Sequence, residues 1–131
     1  MATIAVFDDD LAFLDRMRDA LVGAGYRVVC AAGAGNPLAL VLRERPDLVI
    51  LDLWTAGESG GLRALRLIRD APQSATTPVL ICSADHAALR DYAADWWALG
   101  CETLAKPFDQ DDLLARVARL APTGGGAATS D

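Results

Sequence analysis

Short apolar runs alternate along the chain with segments in which apolar residues recur at helical spacing. Five runs predict β-strands, at Thr3 to Phe7, Arg27 to Ala31, Leu48 to Leu51, Pro78 to Ser83 and Glu102 to Ala105. Each strand is followed by a predicted helix. The first helix carries an apolar stripe made of Leu11, Leu14, Met17, Leu21 and Val22. The pattern therefore predicts an α/β protein built from five strand–helix units.

The strands are apolar almost throughout, which is typical of a parallel sheet buried on both faces. Right-handed crossovers then favour a flavodoxin-like (βα)5 fold, a doubly wound parallel five-stranded sheet with strand order 2-1-3-4-5. Asn36 before Pro37 predicts the start of the second helix. Asp85 and Asp109 are predicted N-caps of the last two helices.

Composition narrows the class of protein. With 131 residues, 53% of them hydrophobic, the chain has room for one domain, predicted over residues 1–121. Residues 122–131, rich in Gly, Ala and Thr, are predicted to form a loose tail or linker remnant. A net charge of -6 disfavours direct nucleic-acid or membrane binding. The start of the chain has no signal-peptide pattern, so a cytoplasmic protein is expected.

The cysteines predict no metal or redox site. Cys30, Cys82 and Cys101 are odd in number and lack CxxC spacing. Because each lies in or beside an apolar segment, we expect reduced thiols that pack as small apolar side chains.

Polar residues gather where the predicted strands end. Strand one is followed by three aspartates at 8–10, strand three by Asp52, strand four ends in Ser83, and strand five is followed by Lys106. Ligands of open α/β sheets bind at this carboxyl edge. Clustered carboxylates repel one another unless a cation or a raised pKa relieves the repulsion, and hard oxygen ligands suit Mg²⁺. A lysine and a hydroxyl nearby suit a phosphoryl group.

These motifs identify a family resemblance. They are VFDDD at 6–10, DLVILDL at 47–53, Gly60, PVLICSA at 78–84 and KPF at 106–108. In this order and at these strand ends, the set resembles the receiver domain of two-component response regulators. The resemblance runs from about Thr3 to Leu120.

The resemblance implies a phosphoacceptor and a metal site. Asp52 matches the aspartate that receives a phosphoryl group from a histidine kinase or phosphotransfer protein. Asp8 and Asp9 match the acidic pair that holds Mg²⁺ together with Asp52, and Trp54 would add its backbone carbonyl. Attack of a carboxylate on phosphorus is nucleophilic catalysis that gives an acyl phosphate.

The resemblance also implies a switch beside the phosphoacceptor. Ser83, with Ala84 beside it, and Lys106 match the positions that contact the phosphoryl group, and the bond from Lys106 to Pro107 is typically cis. Thr103 stands where the family usually has an aromatic residue, and the loop before the lysine is one residue shorter. Signal transmission through an aromatic rotamer is therefore not expected here.

Two adjacent tryptophans near the end of the predicted fourth helix suggest a surface for a partner. Trp96 and Trp97 point about 100° apart on a helix, so at least one is expected near the surface. The downstream target is a protein that the sequence does not identify, and the chain is expected to be a monomer or a weak homodimer.

Three functions remain open at this point. The favoured one is a phosphoacceptor receiver that catalyses only its own phosphoryl transfer and dephosphorylation, alone or as part of a larger protein. The second is a receiver-like interaction module that works without phosphorylation. The third is a haloacid dehalogenase-type phosphatase, with Asp8 as the nucleophile and Asp10 as the acid/base.

Overall fold

The computed structural model describes residues 1–32, 37–53 and 60–121. Its strands are β1 (Thr3–Phe7), β2 (Arg27–Ala31), β3 (Leu48–Asp52), β4 (Val79–Ser83) and β5 (Glu102–Ala105). Its helices are α1 (Leu11–Gly23), α2 (Pro37–Glu44), α3 (Gly60–Asp70), α4 (His86–Asp91), α5 (Ala93–Ala98) and α6 (Gln110–Leu120). None of the helices in these ranges is long and apolar enough to cross a bilayer. Residues 122–131, the predicted tail, lie outside the described residues.

The strands form one parallel sheet in the order β2-β1-β3-β4-β5. This confirms the predicted flavodoxin-like topology. β3 and β4 are buried almost completely, since helices cover both faces of the sheet. The strand order switches between β1 and β3, because β2 lies on one side of β1 and the later strands lie on the other. Folds of this kind bind ligands at such a switch point.

Two apolar layers hold the helices against the sheet. On one face, Met17 of α1 and Val117 of α6 pack in one cluster with alternate residues of the strands. On the other face, Leu65 of α3 and Leu89 of α4 pack with the remaining strand residues. Because strand side chains alternate between faces, each central strand contributes to both layers.

The apolar stripe of α1 is narrower than the sequence predicts. Leu11 and Val22 are 66% and 54% exposed, so their inclusion was wrong, whereas Phe13 is buried. Phe13 lies four residues before Met17 and shares its face of the helix. Leu11 is the first residue of α1 and Val22 the last but one, so both lie near the ends of the helix at positions that face solvent.

The predicted fourth helix is interrupted at Tyr92, between α4 and α5. The indole Nε1 of Trp96 donates a hydrogen bond to the carbonyl oxygen of Leu89, 3.2 Å away, across this break. Trp96 is consequently only 2% exposed, while Trp97 is 86% exposed. The prediction that Trp96 belongs to a partner surface is therefore wrong, and Trp97 alone keeps that position.

The predicted helix caps have different outcomes. The carboxylate of Asp85 accepts a hydrogen bond from the amide of Ala88 and caps α4 as predicted. Asp109 occupies the N-cap position of α6 but makes no capping bond with its side chain. Asn36 lies outside the described residues.

Arginines of α6 cover β5, which lies at the edge of the sheet. The guanidinium of Arg116 donates to the carbonyl oxygen of Thr103 at 3.0 Å. Arg119 forms two hydrogen bonds with the carboxylate of Glu102. Thr103 itself is partly buried opposite Ile81 of β4.

The three cysteines are free thiols, as expected from their spacing. Burial raises the pKa of Cys82, in β4, to about 12 and that of Cys101 to about 11. Both thiols therefore stay protonated at neutral pH, which makes them poor nucleophiles and metal ligands.

Candidate functional site

The register of the sheet brings the polar strand ends to one edge. Phe7 lies opposite Leu51, so the next residues along, Asp8 and Asp52, follow side by side. Ser83 is paired with Ala105, so Lys106 comes directly after the pair. The amide of Lys106 also donates to the carbonyl oxygen of Ser83 at 2.8 Å. The convergence predicted from the strand ends is thus a consequence of parallel pairing.

The centre of the site is an ion cluster of two carboxylates and one ammonium. Nζ of Lys106 lies 2.6 Å from Oδ2 of Asp8 and 3.3 Å from Oδ1 of Asp52. The side chains of Lys106, Asp8 and Asp52 are 18%, 5% and 12% exposed. Solvent screens such a partly buried cluster less than it screens a surface ion pair. The two acids exceed the lysine by one negative charge, so the cluster can accept a further cation.

The ammonium of Lys106 stays charged in this setting. Burial alone would lower the pKa of Lys106, but hydrogen bonds and charge from Asp8 and Asp52 outweigh it and raise the pKa. Lys106 therefore remains a positive group through the neutral range. It can donate hydrogen bonds to an anion and attract it electrostatically, but it is not suited to act as a general acid or base.

Asp8 is also fixed from its other oxygen. Oδ1 of Asp8 accepts a hydrogen bond from the amide of Asp10 at 2.9 Å. The carboxylate of Asp10 in turn caps α1 by accepting from the amides of Ala12 and Phe13. This arrangement ties the acidic loop to the first turn of α1, so the carboxylate of Asp8 is held in place before any ligand arrives.

Asp9 stands apart from the ion cluster. Asp9 is exposed, and no three His, Cys, Asp or Glu side chains in the described ranges lie together as a ready metal site. Mg²⁺ is usually held by one or two carboxylates, with water and phosphate oxygens completing the octahedron. The hard oxygens of Asp8 and Asp52 fit that requirement, and the exposed Asp9 directly follows Asp8 in the chain. Trp54, the predicted carbonyl ligand, lies outside the described residues.

The hydroxyl of Ser83 faces the loop that leads into α4. Ser83 is fully buried, and its Oγ accepts a hydrogen bond from the amide of Asp85 at 3.0 Å. Ala84, between them, is exposed. The loop is held on its far side as well, since Nε2 of His86 lies 2.6 Å from the carbonyl oxygen of Lys106. The peptide bond from Lys106 to Pro107 is cis, as the resemblance implies.

Two residues of the site escaped sequence analysis. Phe13 lies with its ring centroid 3.8 Å from Nζ of Lys106, and His86 contacts the lysine's backbone. Helical spacing could have placed Phe13 on the buried face of α1, because it precedes Met17 by four residues. The sequence pattern carries no signal that would connect His86 with Lys106.

Gly61 allows α3 to pack against the end of β3. A Cβ atom at Gly61 would lie 2.5 Å from the carbonyl oxygen of Leu53 and 2.6 Å from that of Asp52. The amide of Gly61 also donates to the oxygen of Leu53 at 2.9 Å. A side chain here must displace backbone next to the ion cluster.

We therefore expect Gly61→Ala to lower the free energy of unfolding by about 1–3 kcal/mol, as overpacking does. Urea denaturation followed by circular dichroism measures the change. Gly23→Ala is the matched control, because a Cβ atom there meets nothing within 4 Å. Gly23 ends α1, so its replacement should leave stability unchanged or raise it by up to ~1 kcal/mol. Equal effects of the two substitutions would contradict the tight contact.

Comparisons with known proteins point to one family. The family model described as "Response regulator receiver domain" matches residues 4–118. A DNA-binding dual master transcriptional regulator, RpaA of Synechocystis, is 35% identical over 92% of the chain, which spans 49% of that relative. Protein PilH of Pseudomonas aeruginosa is 27% identical over 89% of the chain and 95% of its own length.

A solved structure has the same fold. It is the receiver domain of a sensor histidine kinase from Pseudomonas aeruginosa, with a magnesium ion coordinated in its active site cleft. The TM-score is 0.78 at 24% identity, over 92% of this chain and 97% of that one. At this identity the likeness concerns the fold.

Proposed function

The chain belongs to the response regulator receiver domain family, and from that premise we propose that it is a phosphorylation-dependent switch whose phosphoacceptor is Asp52. Receiver domains are signalling domains of two-component systems and not classical enzymes. The observation that carries the proposal is the ion cluster, in which Lys106 bridges Asp8 and Asp52 at 2.6 and 3.3 Å. A carboxylate beside a fixed ammonium is suited to become an acyl phosphate.

The chemical step is one displacement at phosphorus. An oxygen of Asp52 forms the new bond to phosphorus, and the bond from phosphorus to the nitrogen of the donor's phosphohistidine breaks. The electron pair stays on the imidazole, which takes a proton from water. Lys106 stabilises the negative charge spread over the phosphoryl oxygens. Positioning and electrostatics account for most of the catalysis in such a transfer.

Asp8, Asp9 and Asp52 are the residues that would hold Mg²⁺. The solved structure with the same fold has a magnesium ion in its own active site cleft, which is consistent with a metal at this end of the sheet. When bound, the ion would supply further positive charge against the phosphoryl oxygens. Asp8 is suited to this role because its carboxylate is already oriented by the amide of Asp10.

Phosphorylation would change the loop from β4 to α4. A phosphoryl group on Asp52 adds strong acceptor oxygens beside the buried hydroxyl of Ser83. Ser83 now accepts from the amide of Asp85, and a turn of its hydroxyl toward the new acceptor would release that contact. The loop and α4 would then shift between two arrangements. Thr103 lacks the ring that commonly follows such a shift, so the signal would leave through the loop itself.

The proposed partners are a histidine kinase or phosphotransfer protein on the input side and a target protein on the output side. Receiver domains interact with both kinds of partner. We propose that Trp97 contributes to the output surface, since it is exposed beside the α4–α5 break. A cytoplasmic location and a monomer or weak homodimer complete the proposal.

Mapping of the phosphorylated residue tests the function. We expect the wild-type protein to gain one phosphoryl group from acetyl phosphate in the presence of Mg²⁺ and none after chelation with EDTA. Borohydride reduces the acyl phosphate and marks its position for peptide mass spectrometry, which should identify Asp52. A folded protein that gains nothing would instead favour the interaction module.

The phosphatase alternative would require the label on Asp8. Its general acid/base would be Asp10, but that carboxylate accepts two backbone hydrogen bonds as the N-cap of α1. The capping contacts argue against Asp10 as a proton carrier. Label on Asp8 would nonetheless overturn the proposed function.

A further inference from the structure

The ammonium of Lys106 has a third neighbour besides the two carboxylates. Nζ lies 3.8 Å from the centroid of the Phe13 ring, well inside the ~6 Å range of cation–π attraction. The face of an aromatic ring carries partial negative charge and attracts a cation without competing for its hydrogen bonds. The ring therefore provides a nonionic attraction for the ammonium.

The ring of Phe13 is held in place by its neighbours. Phe13 is buried, and its ring meets the ring of Phe108 edge to face, with centroids 6.1 Å apart and planes at 82°. Phe108 follows Lys106 by two residues, so the loop after the lysine packs on the same ring. The ring of Phe13 therefore contacts both the ammonium of Lys106 and, through Phe108, the loop that follows the lysine, and these contacts restrict the flexible lysine side chain.

Phe13 is linked to the ion cluster by two routes, through its ring and through its backbone amide. Lys106 binds Oδ2 of Asp8, whose Oδ1 accepts from the amide of Asp10. The carboxylate of Asp10 accepts from the amide of Phe13 at 3.2 Å, and the ring of Phe13 returns to the ammonium. A change at Phe13 therefore reaches the lysine directly and the carboxylate of Asp8 through α1.

Building on the proposed function, we propose that Phe13 is a positioning residue for phosphoryl transfer, whose ring face holds the ammonium of Lys106 beside Asp8 and Asp52. A lysine has many rotamers, and fixing one of them before the phosphoryl group arrives lowers the cost of the transfer. Arg16 also faces this ring, but its Cζ lies 5.8 Å from the centroid, at the outer limit of such attraction, so the ring acts mainly on Lys106.

A fluorination series tests the electrostatic part of the inference. Phenylalanine with one, two or three ring fluorines at position 13 keeps nearly the same size while the ring face loses negative charge. We expect the rate of phosphorylation by acetyl phosphate at saturating Mg²⁺ to fall stepwise, by roughly fivefold across the series. Mg²⁺ affinity, measured by calorimetry, should change less than the rate, because the ring itself touches no metal ligand and fluorination leaves the amide of Phe13 bonded to Asp10.

Phe13→Leu and Phe108→Leu form the matched pair. Both remove one ring of the Phe13–Phe108 contact, but only Phe13→Leu removes the contact with the ammonium. We expect both variants to melt at lower temperature, and the phosphorylation rate to fall more for Phe13→Leu. Equal rate losses in the two variants would mean that packing alone is at work and would overturn the inference.

NMR reports the contact without any reaction. Lys106 is the only lysine of the chain, so ¹³C-labelled lysine gives a single ε-methylene signal. The Phe13 ring should shift that signal upfield, and Phe13→Leu should abolish the shift. A flat fluorination series, or no upfield shift in the wild type, would refute the positioning role while leaving phosphorylation of Asp52 intact. Wild-type protein that accepts no phosphoryl group would refute the proposed function, and the inference with it.

Discussion

Asp52→Asn should abolish phosphorylation by acetyl phosphate, with no gain in mass under conditions that modify the wild-type protein fully. The amide of asparagine cannot attack phosphorus and form a stable acyl phosphate. The protein should still fold, because asparagine has nearly the same shape and position 52 ends a strand that is buried elsewhere. Lys106 would keep its closer partner Asp8, at 2.6 Å. Intact-mass spectrometry with and without Mg²⁺ measures the outcome.

Asp47→Asn is the control for that experiment. Asp47 precedes the same strand at its opposite end, where its carboxylate accepts from the amide of Thr3 at 2.8 Å. An asparagine oxygen can still accept that bond, so phosphorylation should proceed at the wild-type rate. Mass gain that persists in Asp52→Asn and disappears in Asp8→Asn would assign the nucleophile to Asp8.

Lys106→Met should slow phosphorylation by about 10²-fold, the effect commonly seen when one preorganised electrostatic contact to a transition state is lost. Methionine fills similar space without charge, so the phosphoryl oxygens lose their fixed cation. Asp8 and Asp52 would also face each other without the ammonium between them. Mg²⁺ should consequently raise the melting temperature of the variant more than that of the wild type. Stopped reactions analysed by intact mass give the rate.

Arg90→Met removes the same unit of charge at a distance from the ion cluster. Arg90 is exposed in α4, where it pairs with Asp91 at 3.7 Å. Its replacement should leave the acetyl phosphate rate unchanged. A rate for Lys106→Met within threefold of the wild type would contradict the role given to the lysine. A similar loss in both variants would point to net charge as the cause.

The strands and the polar residues at their ends were predictable from the sequence. Runs such as residues 48–51 and 79–83 are buried on both faces, so their apolar character shows directly in the sequence. Parallel pairing then leaves little freedom in where the ends meet. Asp8, Asp52 and Lys106 converge because each lies within a residue of its strand's end.

Features that depend on packing between elements were not predictable. Which of Trp96 and Trp97 is buried depends on the helix phase after the break at Tyr92, and periodicity over six residues does not define that phase. The contact between the Phe13 ring and Lys106 was not predictable, because the two residues lie more than ninety positions apart in the sequence. The motif was enough to match Asp9 to a metal-binding position. The exposure of its side chain was not predictable, because it depends on the path of the loop after β1.

The arginines of α6 that cover β5 also affect whether the protein aggregates at high concentration. An edge strand offers unpaired backbone groups on which a strand of another molecule can assemble. Arg116 occupies the carbonyl of Thr103, and Arg119 holds charge over Glu102 on the same short strand. An approaching chain would have to displace two guanidinium groups before it could add to the sheet. The two guanidinium groups thus protect this four-residue edge strand against the addition of a strand from another molecule.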